Sequence, residues 1–212
     1  MKPLADCKLY TFVDTAYLRG RAPEVVARQL CDGGSDIIQL RAKSISPDDI
    51  RRMAQKILPI TRAANVGLVI NDHLEIARET GAEFCHLGQE DFFDAGHIHC
   101  SEVRGQRSEV GIGLSTHSPE QAQRALAAGP DYIAIGPVYA TGTKPSAKPV
   151  TLEYARWAAA NVDVPWFAIG GINLETLDAI LDAGAQRICV VSAILNADDI
   201  AKACGEFRRV LT

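Results

Sequence analysis

The stretch Ile37-Ile38-Gln39-Leu40-Arg41-Ala42-Lys43 begins apolar and ends polar. In an extended chain successive side chains point to opposite faces, so the amide of Gln39, the guanidinium of Arg41 and the ammonium of Lys43 would project from one face. A buried strand with a polar carboxyl end suits a parallel α/β sheet or barrel, whose ligands bind beyond the carboxyl ends of the strands. The solvent face of an antiparallel edge strand is the alternative, and this stretch alone does not decide between them.

Similar segments recur along the chain. Eight apolar segments alternate with amphipathic ones, and Ser46-Pro47 and Ser118-Pro119 are typical of helix starts. Alternation of strands with helices favours a parallel α/β sheet or barrel. The least regular segment, 94–106, is predicted as a helix. The strands are predicted at 8–14, 36–40, 67–70, 84–87, 110–114, 132–135, 166–169 and 187–191.

A weak internal repeat favours the barrel. Gly33, Gly81, Gly129 and Gly184 each end a predicted helix just before an even-numbered strand. The first three are 48 residues apart, which fits two strand–helix units, and the last interval is 55 residues. We therefore predict a single (β/α)8 TIM barrel domain over residues 1–212 rather than an open doubly wound sheet.

Composition limits the classes of partner. The formal net charge is −4, so there is no basic surface for nucleic acid or an anionic membrane, and any anion site must be local. We find neither an apolar signal core at the start nor an apolar run long enough to cross a bilayer, which predicts a cytoplasmic protein. Six cysteines without any C-x-x-C pair are expected to be free thiols. The sequence does not decide whether the chain forms a homo-oligomer.

Two anion sites are expected where the strands end. Gly170-Gly171 and Ser192 follow the seventh and eighth strands and precede helical segments. Barrels commonly bind a phosphomonoester at these two connections through backbone N–H groups. The alternative is a pair of tight turns with no ligand.

The second site mixes cations with acids. Here Asp72 and Asp91 accompany three cations, Arg41, Lys43 and Lys144, and the amide of Asn71. Two carboxylates among cations fit a diphosphate held by Mg2+ together with Arg and Lys, because Mg2+ takes one or two carboxylates and phosphate oxygens. Alternatively, both aspartates are helix caps or salt-bridge partners.

The histidines do not form a recognisable catalytic or zinc pattern. His86, His97 and His99 with Cys100 match no structural zinc spacing, and we interpret these histidines as solvated. His117 follows Ser115 at a strand end, but no acid with triad spacing accompanies it, which argues against a nucleophilic pair.

Taken together, seven segments in order resemble the thiamine phosphate synthase family over nearly the full chain. They are Gln39-x-Arg41-x-Lys43, Asn71-Asp72, His86-x-Gly88-Gln89-x-Asp91, Gly113-x-Ser115-x-His117, Gly136-Pro137-Val138-x-x-Thr141-x-Thr143-Lys144, Gly170-Gly171-Ile172 and Val191-Ser192-Ala193-Ile194. Each is weak alone, and each lies at the carboxyl end of a predicted strand.

The resemblance implies a (β/α)8 transferase that joins a pyrimidine diphosphate to a thiazole phosphate, with Mg2+ as cofactor and small molecules as its partners. It implies Mg2+ binding by Asp72 and Asp91, and catalytic roles for Arg41, Lys43, Ser115 and Lys144. The resemblance assigns the pyrimidine diphosphate to Gln39, Arg41, Lys43, Asn71, Ser115 and Lys144, and the thiazole phosphate to Thr141, Thr143, Gly171, Val191 and Ser192.

Three other functions remain open at this point. A thiazole tautomerase on the same barrel would use a histidine at the carboxyl end of a strand, such as His117. A sugar-phosphate epimerase or aldolase would explain Gly171 and Ser192 but leave the second anion site unused. A non-catalytic thiamine phosphate sensor would keep the whole pocket.

Overall fold

The computed structural model describes residues 1–104, 110–142 and 149–211. Eight parallel strands pair in chain order, and the eighth pairs with the first, so the sheet closes into a barrel. The predicted single-domain (β/α)8 barrel is confirmed, and the edge-strand and open-sheet alternatives are excluded. The strands are β1 Leu9–Asp14, β2 Ile37–Arg41, β3 Gly67–Asn71, β4 Phe84–Gly88, β5 Gly111–Thr116, β6 Tyr132–Ile135, β7 Trp166–Ile169 and β8 Ile188–Cys189.

Helices follow the strands, and their starts carry the predicted caps. The Ser46 hydroxyl accepts the N–H of Asp49 at 3.2 Å, and the Ser118 hydroxyl accepts that of Gln121 at 3.2 Å. Within the described ranges no helix is both long and apolar enough to cross a membrane. The helices are α1 Pro23–Asp32, α2 Pro47–Ala63, α3 Leu74–Thr80, α4 Gln89–Asp94, α5 Cys100–Arg104, α6 Pro119–Ala127, α7 Thr151–Asn161, α8 Leu174–Asp182, α9 Ser192–Leu195 and α10 Ile200–Val210.

The predicted helix over 94–106 is confirmed over Cys100–Arg104 and wrong over residues 95–99. A short helix, α4, ends at Asp94, where the predicted helix begins, and α5 starts only at Cys100. Gly96 between them has a φ of +85°, a left-handed conformation that a continuing helix does not allow. Residues 105–109 lie outside the described part of the chain.

Aromatic side chains fill the centre of the barrel. Tyr10, Tyr132 and Phe167 are fully buried, and their ring centroids lie 5.3–6.0 Å apart in edge-to-face contacts. On β5, Gly113 leaves the space that the Tyr132 ring occupies, since a Cβ there would lie 2.1 Å from the ring. The floor of the barrel mouth is therefore a packed aromatic layer.

The cysteines are free, and five of the six are buried in the core. Burial raises the pKa of the Cys85 thiol to about 12 and that of Cys7 to about 11, because the thiolate is poorly solvated there. The folded protein thus keeps these thiols protonated at pH values where the unfolded chain, with thiol pKa values near 8.5, would release the protons.

We expect the free energy of unfolding to be fully retained below about pH 8.5 and to fall at higher pH, because the unfolded state then binds fewer protons. The measurement is urea unfolding at about pH 7.5 and about pH 9.5. Between these two pH values the free energy of unfolding of Cys85→Ala should fall by about 1.4 kcal/mol less than that of the wild type, since the variant lacks one such thiol. Equal losses in the two proteins would contradict the raised pKa of Cys85.

Gly113→Ala should lower the free energy of unfolding by about 1–3 kcal/mol, because the Tyr132 ring must shift to admit the methyl group. Gly205→Ala in α10 is the control, since its Cβ would have no contact closer than 3.8 Å and alanine favours a helix. Urea unfolding midpoints measure both. A Gly113 variant as stable as the Gly205 variant would rule out this packing constraint.

Candidate active site

A pocket opens at the carboxyl end of the barrel. It encloses about 900 Å3 when its open mouth is included. Residues from both predicted anion sites face it together, which is what parallel strands ending at one rim require. The predicted site residues that line it are Gln39, Arg41, Asn71, Ser115, Thr141, Gly171, Val191 and Ser192.

Lys43 does not share the face of Gln39 and Arg41. The strand ends at Arg41, and the chain turns at Lys43 and Ser44. The alternation of side chains that was predicted through Lys43 therefore ends before this residue. Lys43 lies outside the pocket lining and forms a salt bridge with Asp72. Gln39 and Arg41 thus line the pocket together, as predicted, while in this structure Lys43 pairs with Asp72.

Arg41 is held by an acid that the sequence did not single out as a site residue. Its Nη1 lies 2.8 Å from Oδ2 of Asp14, whose carboxylate is 1% exposed. The other Asp14 oxygen accepts the backbone N–H of Ala16 at 3.0 Å. A buried acid thus fixes the guanidinium at the pocket wall.

Five side chains from five strands form a buried hydrogen-bond chain across the barrel. Gln39 Nε2 donates to the Tyr10 hydroxyl at 2.7 Å, and that hydroxyl lies 3.1 Å from the Tyr132 hydroxyl. His86 continues the chain, with Nδ1 3.1 Å from the Tyr132 hydroxyl and Nε2 2.9 Å from Oγ of Ser115. The chain ends at the pocket wall on both sides, since Gln39 and Ser115 both line the pocket.

The interpretation of His86 as solvated is wrong, because β4 carries it into the barrel, where it is 8% exposed. It is also the histidine that partners Ser115, whereas His117 contacts the carbonyl oxygen of Gly136 through Nδ1. A local signal exists in the sequence, because His86 shares its strand face with Phe84 and Gly88.

Two further histidines lie apart from the hydrogen-bond chain. His97 and His99 fall between α4 and α5, and Nδ1 of His99 lies 2.8 Å from the Ser101 hydroxyl. In the part of the chain that is described, no cluster of three or more His, Cys, Asp or Glu side chains could hold a metal ion.

The two tyrosines of the hydrogen-bond chain, Tyr10 and Tyr132, stay protonated. Burial raises the pKa of Tyr10 and of Tyr132 well above the usual range for tyrosine, because a phenolate in this interior would be poorly solvated. Each hydroxyl therefore keeps one proton to donate at neutral pH.

Gly170 and Gly171 serve packing as well as any ligand. Both have positive φ values, +103° and +67°. A Cβ on Gly170 would lie 2.4 Å from Pro137, and one on Gly171 would lie 2.7 Å from the carbonyl oxygen of Ala140. The connection after β6, which contains Pro137 and Ala140, packs against these two positions, so both require glycine, as the tight-turn alternative predicts. Ser192 lines the same pocket.

Asp72 and Asp91, the predicted metal ligands, follow the adjacent strands β3 and β4. The Asp72 N–H donates to the carbonyl of His86 at 2.9 Å, which holds this residue against β4. The Asp91 carboxylate folds over Gly88, since a Cβ there would lie 2.6 Å from its Oδ2. Two oxygen donors at one side of the mouth fit Mg2+. The Lys43 ion pair with Asp72 also fits the salt-bridge alternative.

Two predicted site residues, Thr143 and Lys144, lie outside the described residues. Thr141, just before them, does line the pocket. Their predicted roles in holding the thiazole phosphate and the diphosphate therefore remain predictions from the sequence.

The thiamine monophosphate synthase family model matches residues 9–194 of this chain. A thiamine-phosphate synthase of Thermus thermophilus is 42% identical over 181 residues, covering 84% of each chain. That of Halalkalibacterium halodurans is 35% identical over 211 residues, covering 98% of this chain and 97% of its own.

Among solved structures, thiamine phosphate pyrophosphorylase from Pyrococcus furiosus is similar with a TM-score of 0.86 and 27% identity, over 99% of this chain and 98% of that one. A 3-hexulose-6-phosphate synthase is similar with a TM-score of 0.66 and 22% identity, over 97% of this chain and 100% of that one. The second likeness concerns the barrel fold alone.

Asp14→Ala should lower the free energy of unfolding by about 3 kcal/mol, because it leaves the Arg41 guanidinium, 16% exposed, without its buried partner. Asp48→Ala is the matched control, since Asp48 pairs with Arg51 while 78% exposed and should lose far less. Chemical unfolding of both variants is the measurement. Similar losses would mean that the Asp14 ion pair is no stronger than a surface pair.

Proposed function

Since the chain belongs to the thiamine monophosphate synthase family of transferases that form thiamine phosphate, we propose that its substrates are 4-amino-2-methyl-5-(diphosphooxymethyl)pyrimidine and 4-methyl-5-(2-phosphoethyl)thiazole. Diphosphate is the second product. The observation that carries this proposal is that Gln39 and Arg41 of β2 and Ser192 at the start of α9 face one pocket. An amide, a guanidinium and a hydroxyl there match a heteroaromatic ring, a diphosphate and a phosphomonoester.

The pyrimidine ring binds at the floor of the pocket. Tyr10 and Phe12 line it, and their rings are stacked with centroids 5.3 Å apart. A flat heteroaromatic ring packs well against such a surface. Gln39 is the amide at this depth, with a donor and an acceptor to read the edge of an aminopyrimidine.

The diphosphate binds nearer the mouth, at Arg41, Lys43, Asn71, Ser115 and Lys144. Among the described residues, Arg41 is paired with Asp14 and Lys43 with Asp72, so these four charges cancel. A diphosphate therefore needs further positive charge to bind strongly. Lys144 and Mg2+ supply it in this proposal.

The Mg2+ ligands are Asp72 and Asp91, whose carboxylates lie on adjacent connections of the mouth. When bound, Mg2+ neutralises charge on the diphosphate oxygens. Competition for Asp72 would also release Lys43 toward the diphosphate, because one carboxylate then has two cationic partners.

The thiazole phosphate binds on the opposite wall, at Thr141, Thr143, Gly171, Val191 and Ser192. Backbone N–H groups after β7 and β8 and two threonine hydroxyls are the donors. Holding this phosphate aims the thiazole nitrogen at the pyrimidine methylene carbon that carries the diphosphate, which removes most of the orientational cost of the reaction.

The reaction is a largely dissociative substitution. The bond between the methylene carbon and the diphosphate oxygen breaks, its electron pair leaves with diphosphate, and the thiazole nitrogen donates the pair for the new bond. The aminopyrimidine ring delocalises the intermediate positive charge. Arg41, Lys43, Lys144 and the Ser115 hydroxyl stabilise the charge that grows on the leaving group, so no protein nucleophile is required.

Purified full-length chain mixed with both substrates should form thiamine phosphate and diphosphate with Mg2+ and neither with EDTA. Asp91→Ala should lower kcat on the order of 10²–10³-fold, because it removes a carboxylate ligand of the Mg2+ ion whose charge would stabilise the leaving group. Asp94→Ala, an exposed acid on the same helix, is the control and should keep its activity.

Turnover in EDTA, or equal rates in the two aspartate variants, would remove the metal role. Binding of thiamine phosphate without turnover would make the protein a sensor. Isomerisation of the thiazole phosphate without any pyrimidine substrate would make it a tautomerase.

A further inference from the structure

At one end of the buried hydrogen-bond chain lies a group that can donate a hydrogen bond but cannot accept one. The Gln39 amide nitrogen donates to the Tyr10 oxygen at 2.7 Å and has no lone pair to accept. The Tyr10 proton is therefore available to the next atom along, the Tyr132 oxygen 3.1 Å away. Of the two directions open to the Tyr10–Tyr132 contact, donation from Tyr10 is the one that gives the Tyr10 proton an acceptor within the hydrogen-bond chain.

The same direction of hydrogen-bond donation continues through His86. Once Tyr132 accepts from Tyr10, its own proton can go to Nδ1 of His86, 3.1 Å away. A neutral imidazole that accepts at Nδ1 carries its proton on Nε2. That N–H then donates to Oγ of Ser115 at 2.9 Å, which leaves the serine proton to point elsewhere.

We propose that Tyr132 is a positioning residue that holds His86 in its Nε2–H tautomer, so that the Ser115 hydroxyl acts as a hydrogen-bond donor to the leaving diphosphate. The catalytic part of this inference rests on the proposed function. Its structural part, the sense of the hydrogen-bond chain, concerns the ligand-free protein.

The opposite sense would give Ser115 a different role. A serine 2.9 Å from a histidine resembles a nucleophile beside its general base, which requires an unprotonated Nε2. That arrangement needs Tyr132 to accept from Nδ1 and to donate to Tyr10, whose oxygen then accepts from both Gln39 and Tyr132. The Tyr10 proton is then left without an acceptor in the hydrogen-bond chain, which disfavours this sense, so in the proposal Ser115 is a donor and not a nucleophile.

The position of Tyr132 suits this task. Its side chain is fully buried, and its ring is stacked on that of His86 with centroids 5.6 Å apart and an interplanar angle of 25°. Edge-to-face contacts with Phe84 and Phe167 hold the ring on two further sides. The raised pKa of Tyr132 keeps its proton in place across the neutral range.

The decisive measurement is the nitrogen spectrum of the histidines in 15N-labelled, ligand-free full-length protein near neutral pH. Protonated and unprotonated ring nitrogens resonate in separate regions, and His86→Asn assigns the His86 signals among the five histidines. We expect a proton on Nε2 and none on Nδ1. A proton on Nδ1, alone or together with one on Nε2, would overturn the proposal.

Tyr132→Phe tests the role of the hydroxyl while keeping the ring. It removes the donor to Nδ1, so the His86 signals should no longer show one tautomer, and kcat should fall about tenfold. The KM for the thiazole phosphate should not change, because its proposed residues lie outside the buried chain. Unchanged His86 signals together with an unchanged kcat would refute the proposal.

Tyr154→Phe is the matched control. The Tyr154 hydroxyl is also buried and donates to Oγ1 of Thr116 at 2.7 Å, but it has no place in the chain to His86. It should lose comparable stability while keeping the tautomer and kcat. The same tautomer mixture and kcat loss in this variant would show a general packing effect and reject the specific role of Tyr132.

Failure of the proposed function gives a different result. In that case the wild type forms no thiamine phosphate with both substrates and Mg2+, whatever the state of His86. The tautomer is read without substrate, so it decides the sense of the chain independently, even if the Tyr132 variant does not fold.

Discussion

Two tyrosine side chains, Tyr10 and Tyr132, cross the interior of the barrel from β1 and β6 and meet at their hydroxyls, 3.1 Å apart. Their rings form the centre of the core, and the space for one of them exists because β5 has glycine at position 113. Their hydroxyls also form the middle of the chain that joins Gln39 to Ser115. The same two side chains thus stabilise the barrel and support the floor of its pocket.

A buried polar chain inside an apolar core is tolerated only when each member has a partner. Gln39, Tyr10, Tyr132 and His86 meet this condition with one another, so their geometry is fixed before any ligand arrives. Such preorganisation suits a reaction in which the protein orients donors and does not form a covalent bond.

The mouth of the barrel balances its charges in pairs. Arg41 faces the buried Asp14, and Lys43 faces the more exposed Asp72. The first pair is shielded from water and fixes its guanidinium, while the second is accessible and can be rearranged. In the proposed function this difference separates a permanent anchor for the diphosphate from a site that responds to Mg2+.

The order of the strands, the polar residues at their carboxyl ends and the closed barrel follow from the sequence, because alternation, helix caps and turn glycines are local and periodic along the chain. Gln39, Arg41, Ser115 and Ser192 could be predicted at the mouth for that reason. The turn at Lys43 and the non-helical residues 95–99 were missed, since the backbone turns at these positions leave no periodic signal in the sequence.

Only the tertiary structure decided which side chains meet. The pairing of Arg41 with Asp14 and the placement of His86 beside Ser115 depend on the register between different strands. Closure of the barrel sets that register. A single sequence carries the periodicity of each strand, whereas contacts across the interior arise from the three-dimensional packing of all eight.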